Sequence, residues 1–152
     1  MEIKRILVPH DGDQMSDKAA LYASNLAKAL NAEIILLYII DEIEIPGTLL
    51  AGNDRVLIER ARRRIQGELE QNWKRFAQEK VKSLSAEKIH SSTEIRSGDA
   101  AEQIVKFAKE DQVDLIVMGS RKLEGVSQIV VALGSVARKV SERAFCPVML
   151  VH

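Results

Sequence analysis

The sequence predicts an α/β fold: an open, doubly wound sheet of five parallel strands with helices on both faces. Three observations carry this. Two runs, Glu33 to Ile40 and Asp114 to Met118, are nearly continuous in apolar residues, as strands covered on both faces are. Such runs alternate with stretches of helical periodicity in the order βαβαβαβαβ, and helical crossovers imply parallel pairing with right-handed connections. The stretch Asp114 to Val136 sets a glycine-containing segment between a strand and a helix start, which is how α/β proteins build an anion cradle.

The elements follow in chain order. Ile6 to Val8 is a short buried strand ending at Pro9, and His10-Asp11-Gly12-Asp13 is a loop. Ala19, Ala20, Ala23, Leu26, Ala27 and Leu30 recur at helical spacing, so Ser16 to Leu30 is an amphipathic helix with Ser16 as its N-cap and Asp17 in its first turn. Asn31 takes the left-handed position after it. Glu33 to Ile40 is the second strand, and Asp41 to Asn53, with Pro46 and Gly47, is an irregular loop. Ile58, Ala61, Ile65, Leu69, Trp73 and Phe76 form one apolar stripe on a long helix from Asp54 to about Leu84. Arg60, Arg62, Arg63 and Arg64 are its solvated face, and Trp73 is core or interface. Lys88 to Arg96 is a strand near a sheet edge. Ser97-Gly98-Asp99 is a turn and cap for a helix over Ala100 to Glu110. Asp114 to Met118, Ser135 to Arg143 and Pro147 to Val151 complete the pattern as strand, helix and strand.

The length of 152 residues fits one domain, residues 1–152, and 46% apolar with 29% charged residues marks a globular chain. Lys plus Arg and Asp plus Glu number 22 each, so no basic field draws nucleic acid and no net charge keeps copies apart. The single cysteine, Cys146, permits no intrachain disulfide, which fits a reducing cytosol; before Pro147 it reads as a packed small residue. No apolar run reaches the roughly 18 residues of a membrane span. The segment after Met1 is too short for a signal peptide. The expectation is a cytoplasmic protein without membrane or nucleic-acid partners.

In doubly wound sheets, ligands bind beyond the carboxyl ends of the strands, where strand order reverses. Pro9 to Asp11, Ile39 to Asp41 and Met118 to Lys122 leave such ends. They meet in one crevice if the first and fourth strands are neighbours. Asp11 can accept two hydrogen bonds from a ribose or a ring amine, or it is a turn aspartate of an Asp-Gly pair. Ile39 is a base-pocket wall or plain core. Ser135 bonds a phosphate oxygen, caps its helix, or does both, and Arg121 and Lys122 meet phosphates or water. His10 beside Asp11 has no nucleophile spaced to match it, and His10, His90 and His152 show no metal spacing. Neither GxxxxGK[ST] nor GxGxxG occurs. No catalytic or metal residues are assigned.

These residues, in this order, resemble the universal stress protein family. The resemblance rests on Lys4-Arg5-Ile6-Leu7-Val8-Pro9 with Asp11-Gly12, the Ala-rich first helix, Leu36 to Ile40, Asp114 to Arg121, Gly134-Ser135-Val136 and Cys146-Pro147-Val148. It implies strand order 3-2-1-4-5 and a cytoplasmic homodimer joined through the last strand, Pro147 to Val151. It further implies a stress-response protein that is not an enzyme. In the ATP-binding branch the base lies near the positions of Pro9, Asp11 and Ile39. The phosphates lie on a loop of pattern G-x2-G-x9-G-[ST]. The resemblance therefore implies ATP or another adenine nucleotide, with Mg²⁺ as an escort of the phosphates. Its site residues here are Pro9, His10, Asp11, Ile39, Met118, Gly119, Arg121, Lys122, Gly134, Ser135 and Val136. Lys122 stands at the second glycine position, and two extra residues separate the outer glycines. That departure supports the alternative of a protein that binds no nucleotide and acts through protein partners. A weak ATP hydrolase is the third reading.

Overall fold

The computed structural model describes residues 2–120 and 134–152. Five strands, β1 (Arg5–His10), β2 (Glu33–Ile40), β3 (Ser91–Ser97), β4 (Leu115–Gly119) and β5 (Val148–Val151), form one sheet in the order β3-β2-β1-β4-β5. All four pairings are parallel, so the expected fold class and strand order hold. The helices are α1 (Gln14–Leu30), α2 (Gly47–Leu50), α3 (Arg55–Ala86), α4 (Ala100–Glu110) and α5 (Ser135–Arg143).

Alternation along β1 splits the core between the two faces. Ile6 and Val8 join Ala19, Ala23 and Ala27 of α1 and Ala77 of α3. Leu7 points the other way, to Ala101, Ile104, Phe107 and Ala108 of α4 and Ala137 and Val140 of α5. The alanine stripe of α1 lets that helix lie close to the central strands. Each large aliphatic side chain buried between the layers is worth about 1.5–3 kcal/mol.

Several boundaries differ from expectation. Ser16 does not cap α1; Asp13 does, with its Oδ1 accepting the Ser16 N–H at 2.8 Å. Ser16 lies inside the first turn and is buried. Asn31 takes the left-handed conformation, φ 53° and ψ 42°. The segment after β2 contains one helical turn, α2, closed by Leu49 N–H donating to the Pro46 carbonyl. β3 begins at Ser91 rather than Lys88, because Lys88 is left-handed (φ 61°) and the Ile89 N–H returns to the Leu84 carbonyl to end α3.

Pro9 sits within a central strand, where a missing N–H should break the ladder. The Arg5 carbonyl accepts from Asp114 N–H, on the β4 side. Alternate residues face the same side, so the nitrogen of Pro9 also faces β4. β1 pairs with β4 only across Ile6 and Leu7, so the hydrogen-bonded ladder between them stops where Pro9 has no N–H to give. The crevice at the switch point lies beyond that stop.

Tyr38 is fully buried, packed on Trp73 at 5.1 Å and on Phe76 at 5.9 Å between ring centroids. Its hydroxyl has no hydrogen-bond partner among the described residues. Burial, with Asp17 nearby, pushes the phenol well above its ordinary pKa. Tyr38→Phe removes an unsatisfied polar atom, so it should leave stability unchanged or raise it by up to about 1 kcal/mol in urea unfolding. A loss of that size would contradict the packing.

Candidate functional site

The crevice between the carboxyl ends of β1 and β4 is a cavity of about 370 Å³. Its floor and rim are made by Pro9 and His10 at the end of β1 with Asp11 after it, Ile39 of β2 with Asp41 just beyond, and Met118 and Gly119 from β4. Gly134, Ser135 and Val136 close it at the start of α5. Nine of the eleven residues expected from the sequence therefore line one cavity. The other two, Arg121 and Lys122, lie outside the described residues, as does the comparison of glycine spacing with a loop geometry.

Helices α1, α4 and α5 all start at this rim. Asp13 caps α1, and Asp99 caps α4 by accepting the Glu102 N–H at 2.9 Å. The N-cap of α5 is Gly134, which supplies no side-chain cap. Ser135 is the first helical residue and is exposed. The opening N–H groups of α5 thus carry the positive end of the helix dipole, and the N-cap glycine offers them no side chain.

Gly119 is required by packing. A Cβ there would stand 2.8 Å from both the carbonyl carbon and oxygen of Met15 and 2.9 Å from its Cβ. Glycine at the end of β4 lets the first turn of α1 cross the strand end closely.

The loop after β1 is built around His10, which is only 3% exposed. Gly12 N–H donates to Nδ1 at 3.1 Å, Ser16 Oγ lies 3.2 Å from the same nitrogen, and Nε2 lies 3.1 Å from Asp17 Oδ1. Asp17 also pairs with Lys80 of α3. Ser16 Oγ–H donates toward Asp11 Oδ1 at 3.0 Å or the Asp13 carbonyl at 2.8 Å. Desolvation lowers the pKa of His10, against the pull of Asp17. The bond to Lys80 lowers that of Asp17.

Ser16, His10 and Asp17 are joined as in an acyl-transfer triad, but the arrangement is a clamp. The Nδ1 lone pair already accepts Gly12 N–H, and the Ser16 hydroxyl is buried among acceptors of its own loop. Cys146 is half-buried and packs against the α4–α5 core, with burial pushing its thiol pKa up. Among the described residues no group of three His, Cys, Asp or Glu side chains is placed to hold a metal ion.

Sequence reasoning missed Asp13, Met15, Ser16, Leu37, Ala100, Ile104 and Ala137 as cavity residues, and it placed Asp41 at the crevice only as the end of the Ile39 to Asp41 segment. Asp13 and Asp41 had a signal, since each follows a strand end. Ala100 and Ile104 had none; they arrive because α4 packs over β2 and β3.

The universal stress protein family model matches residues 2–152. The universal stress protein MJ0531 of Methanocaldococcus jannaschii is 36% identical over 151 residues, covering 97% of this chain and 81% of that protein. YxiE of Bacillus subtilis, also a universal stress protein, is 36% identical over 149 residues, with 97% and 98% covered. Among solved structures, protein MJ0577 of M. jannaschii superposes with a TM-score of 0.78 at 26% identity, covering 99% of this chain and 96% of that one. Two further universal stress proteins share the fold. One is in complex with cAMP (TM-score 0.68, 20% identity, 100% and 99% covered). The other, from Archaeoglobus fulgidus, is in complex with dAMP (TM-score 0.64, 19% identity, 100% of each chain covered).

Proposed function

The chain belongs to the universal stress protein family, and from that premise we propose that it binds an adenine nucleotide in the crevice between β1 and β4 as a cytoplasmic stress-response protein. The observation that carries this is the placement of Asp11 on one rim of a 370 Å³ cavity whose other rim includes the start of α5, where the N-cap is a glycine. The Asp11 carboxylate accepts from ribose hydroxyls, Pro9, Ile39 and Met118 flank the base, and the N–H groups of Ser135 and Val136 receive phosphate. His10, Gly119 and Gly134 shape the walls, and Arg121 and Lys122 add charge at the phosphates. The cAMP and dAMP complexes support the reading in that the same fold holds an adenine nucleotide in those proteins. ATP is the first ligand to test, with Mg²⁺ accompanying its phosphates. The protein as purified should release adenine nucleotide on denaturation, and titration calorimetry with ATP should show a saturable heat. No heat at millimolar ATP on folded protein would leave the alternative, a nucleotide-free protein acting through protein partners, which Lys122 at a glycine position favours.

The working unit in this reading is one α/β domain over residues 1–152, paired as a homodimer through the edge strand β5. Phe145, 69% exposed, and Met149, 37% exposed, lie on and beside that edge, and an apolar edge strand needs a cover. No described helix is long and apolar enough to cross a membrane. Met149→Lys should shift the protein from dimer to monomer in sedimentation velocity, because two lysines would face each other across the pairing. A dimer that survives the change would place the interface elsewhere.

A further inference from the structure

We propose that His10 is a positioning residue for the ligand loop: its Nδ1 holds the Gly12 N–H, which fixes the turn in which the Asp13 N–H and the Ser16 hydroxyl hold the Asp11 carboxylate at the crevice, and the Asp17–Lys80 pair ties that hold to α3. The inference rests on the reading of the crevice as a nucleotide site.

The proton positions follow from the partners. Nε2 lies 3.1 Å from the Asp17 carboxylate, which only accepts, so Nε2 carries the hydrogen. Nδ1 is then a lone pair and accepts Gly12 N–H. With Nδ1 occupied by the Gly12 N–H, the one hydrogen of the Ser16 hydroxyl goes to Asp11 Oδ1 or the Asp13 carbonyl, of which Asp11 is the charged acceptor. Asp13 N–H donates to the same Asp11 oxygen at 3.1 Å. Residues 11–13 are thus wrapped on one imidazole. Gly12, at φ +84°, is pinned from outside, since even a Cβ would stand 3.2 Å from the Trp73 ring of α3.

A proton on Nδ1 would set two donors face to face, the imidazolium N–H and Gly12 N–H. The loop must then move, and Asp11 with it. Among the described residues the groups facing the ring are Asp17 on α1, Lys80 and Phe76 on α3, Asp11 in the loop and Tyr38 on β2. Burial keeps the ring neutral below the ordinary histidine range, Lys80 helps, and Asp17 and Asp11 oppose. The folded pKa lies below the unfolded value of 6.5. The unfolded chain therefore takes the proton first. The stability held by the neutral ring is complete above about pH 6.5 and is lost as pH falls toward the folded pKa.

Trp73 is the sole tryptophan and touches the loop, so its fluorescence reports the loop without ligand. Titrated from about pH 8 to about pH 4.5, the wild type should show a transition centred below the ordinary histidine value. His10→Asn, whose amide oxygen replaces the Nδ1 acceptor but takes no proton, should abolish it. Lys80→Met should move it to higher pH, since the opposing charge is gone. Lys80 is partly exposed, so this arm does not depend on a change inside the core. Affinity for cAMP, whose phosphodiester does not titrate in this range, should fall about tenfold per pH unit below the transition in the wild type. In His10→Asn it should stay flat. A wild type without a transition, or a transition that persists in His10→Asn, overturns the proposal. A protein that binds neither cAMP nor ATP at any pH overturns the nucleotide reading instead, and the Trp73 titration still decides whether His10 holds the loop.

Discussion

Gly119→Ala should lower stability by about 3 kcal/mol, the upper end of the range for overpacking, and the melting temperature by roughly 6–12 °C. The added methyl meets backbone atoms of Met15 at 2.8 Å, closer than real Cβ contacts come. Neither side yields easily. Met15 sits in the first turn of α1, beside the Asp13 cap and the Ser16 bonds to the loop. Gly119 is fixed from the other side by its pairing with Val151 and by Ser120 N–H donating to the Val151 carbonyl at 2.9 Å. Relief therefore requires α1 or the end of β4 to move, and both form the crevice. The contrast is Gly67, on the exposed part of α3 with nothing within 4 Å of a Cβ. There Ala should raise stability by about 0.5–1 kcal/mol through helix propensity alone. Thermal unfolding of the two variants side by side separates packing from backbone freedom. Equal melting temperatures would show that α1 does not press on the strand end.

The sequence made the fold legible where local and global signals agree. Glu33–Ile40, Ala100–Glu110 and Ser135–Arg143 have the expected bounds, because an apolar run or an apolar periodicity stops where a cap or turn residue begins. It was less legible where two residues offer the same chemistry. Asp13 and Ser16 are both good caps three positions apart, and only the packing of Ser16 against His10 decides that Asp13 caps and Ser16 turns inward. The end of α3 was obscured because Lys88, not glycine, takes the left-handed turn. The crevice was legible as a set of strand ends, which is why nine expected residues line it. The clamp on His10 was not. It depends on Asp17 meeting Lys80, 63 residues away, and no periodicity or motif records that distance.

Asp11→Ala should weaken adenine-nucleotide binding by about 10- to 150-fold, the worth of roughly 1.5–3 kcal/mol of hydrogen bonding to a charged group. The fold should lose less, about 0.5–1.5 kcal/mol. Asp11 Oδ1 accepts the Asp13 N–H and the Ser16 hydroxyl, each a bond within its own loop. Ser16 keeps the Asp13 carbonyl as an acceptor when Asp11 is gone. What the carboxylate does for the ligand is decided by comparing adenosine, AMP and ATP. If Asp11 holds the ribose, the loss is the same for all three, because the contact does not involve phosphate. If the phosphates instead lie beside Asp11, its removal relieves repulsion, and affinity rises with each added phosphate. Asp13 and Asp41 also line the cavity, so such repulsion would be strong in a site of low dielectric. An equal loss across the series places the sugar at β1 and the phosphates toward α5, whose N-cap is the side-chain-free Gly134. A gain that grows with phosphate number reverses that orientation, and an unchanged series removes Asp11 from the site.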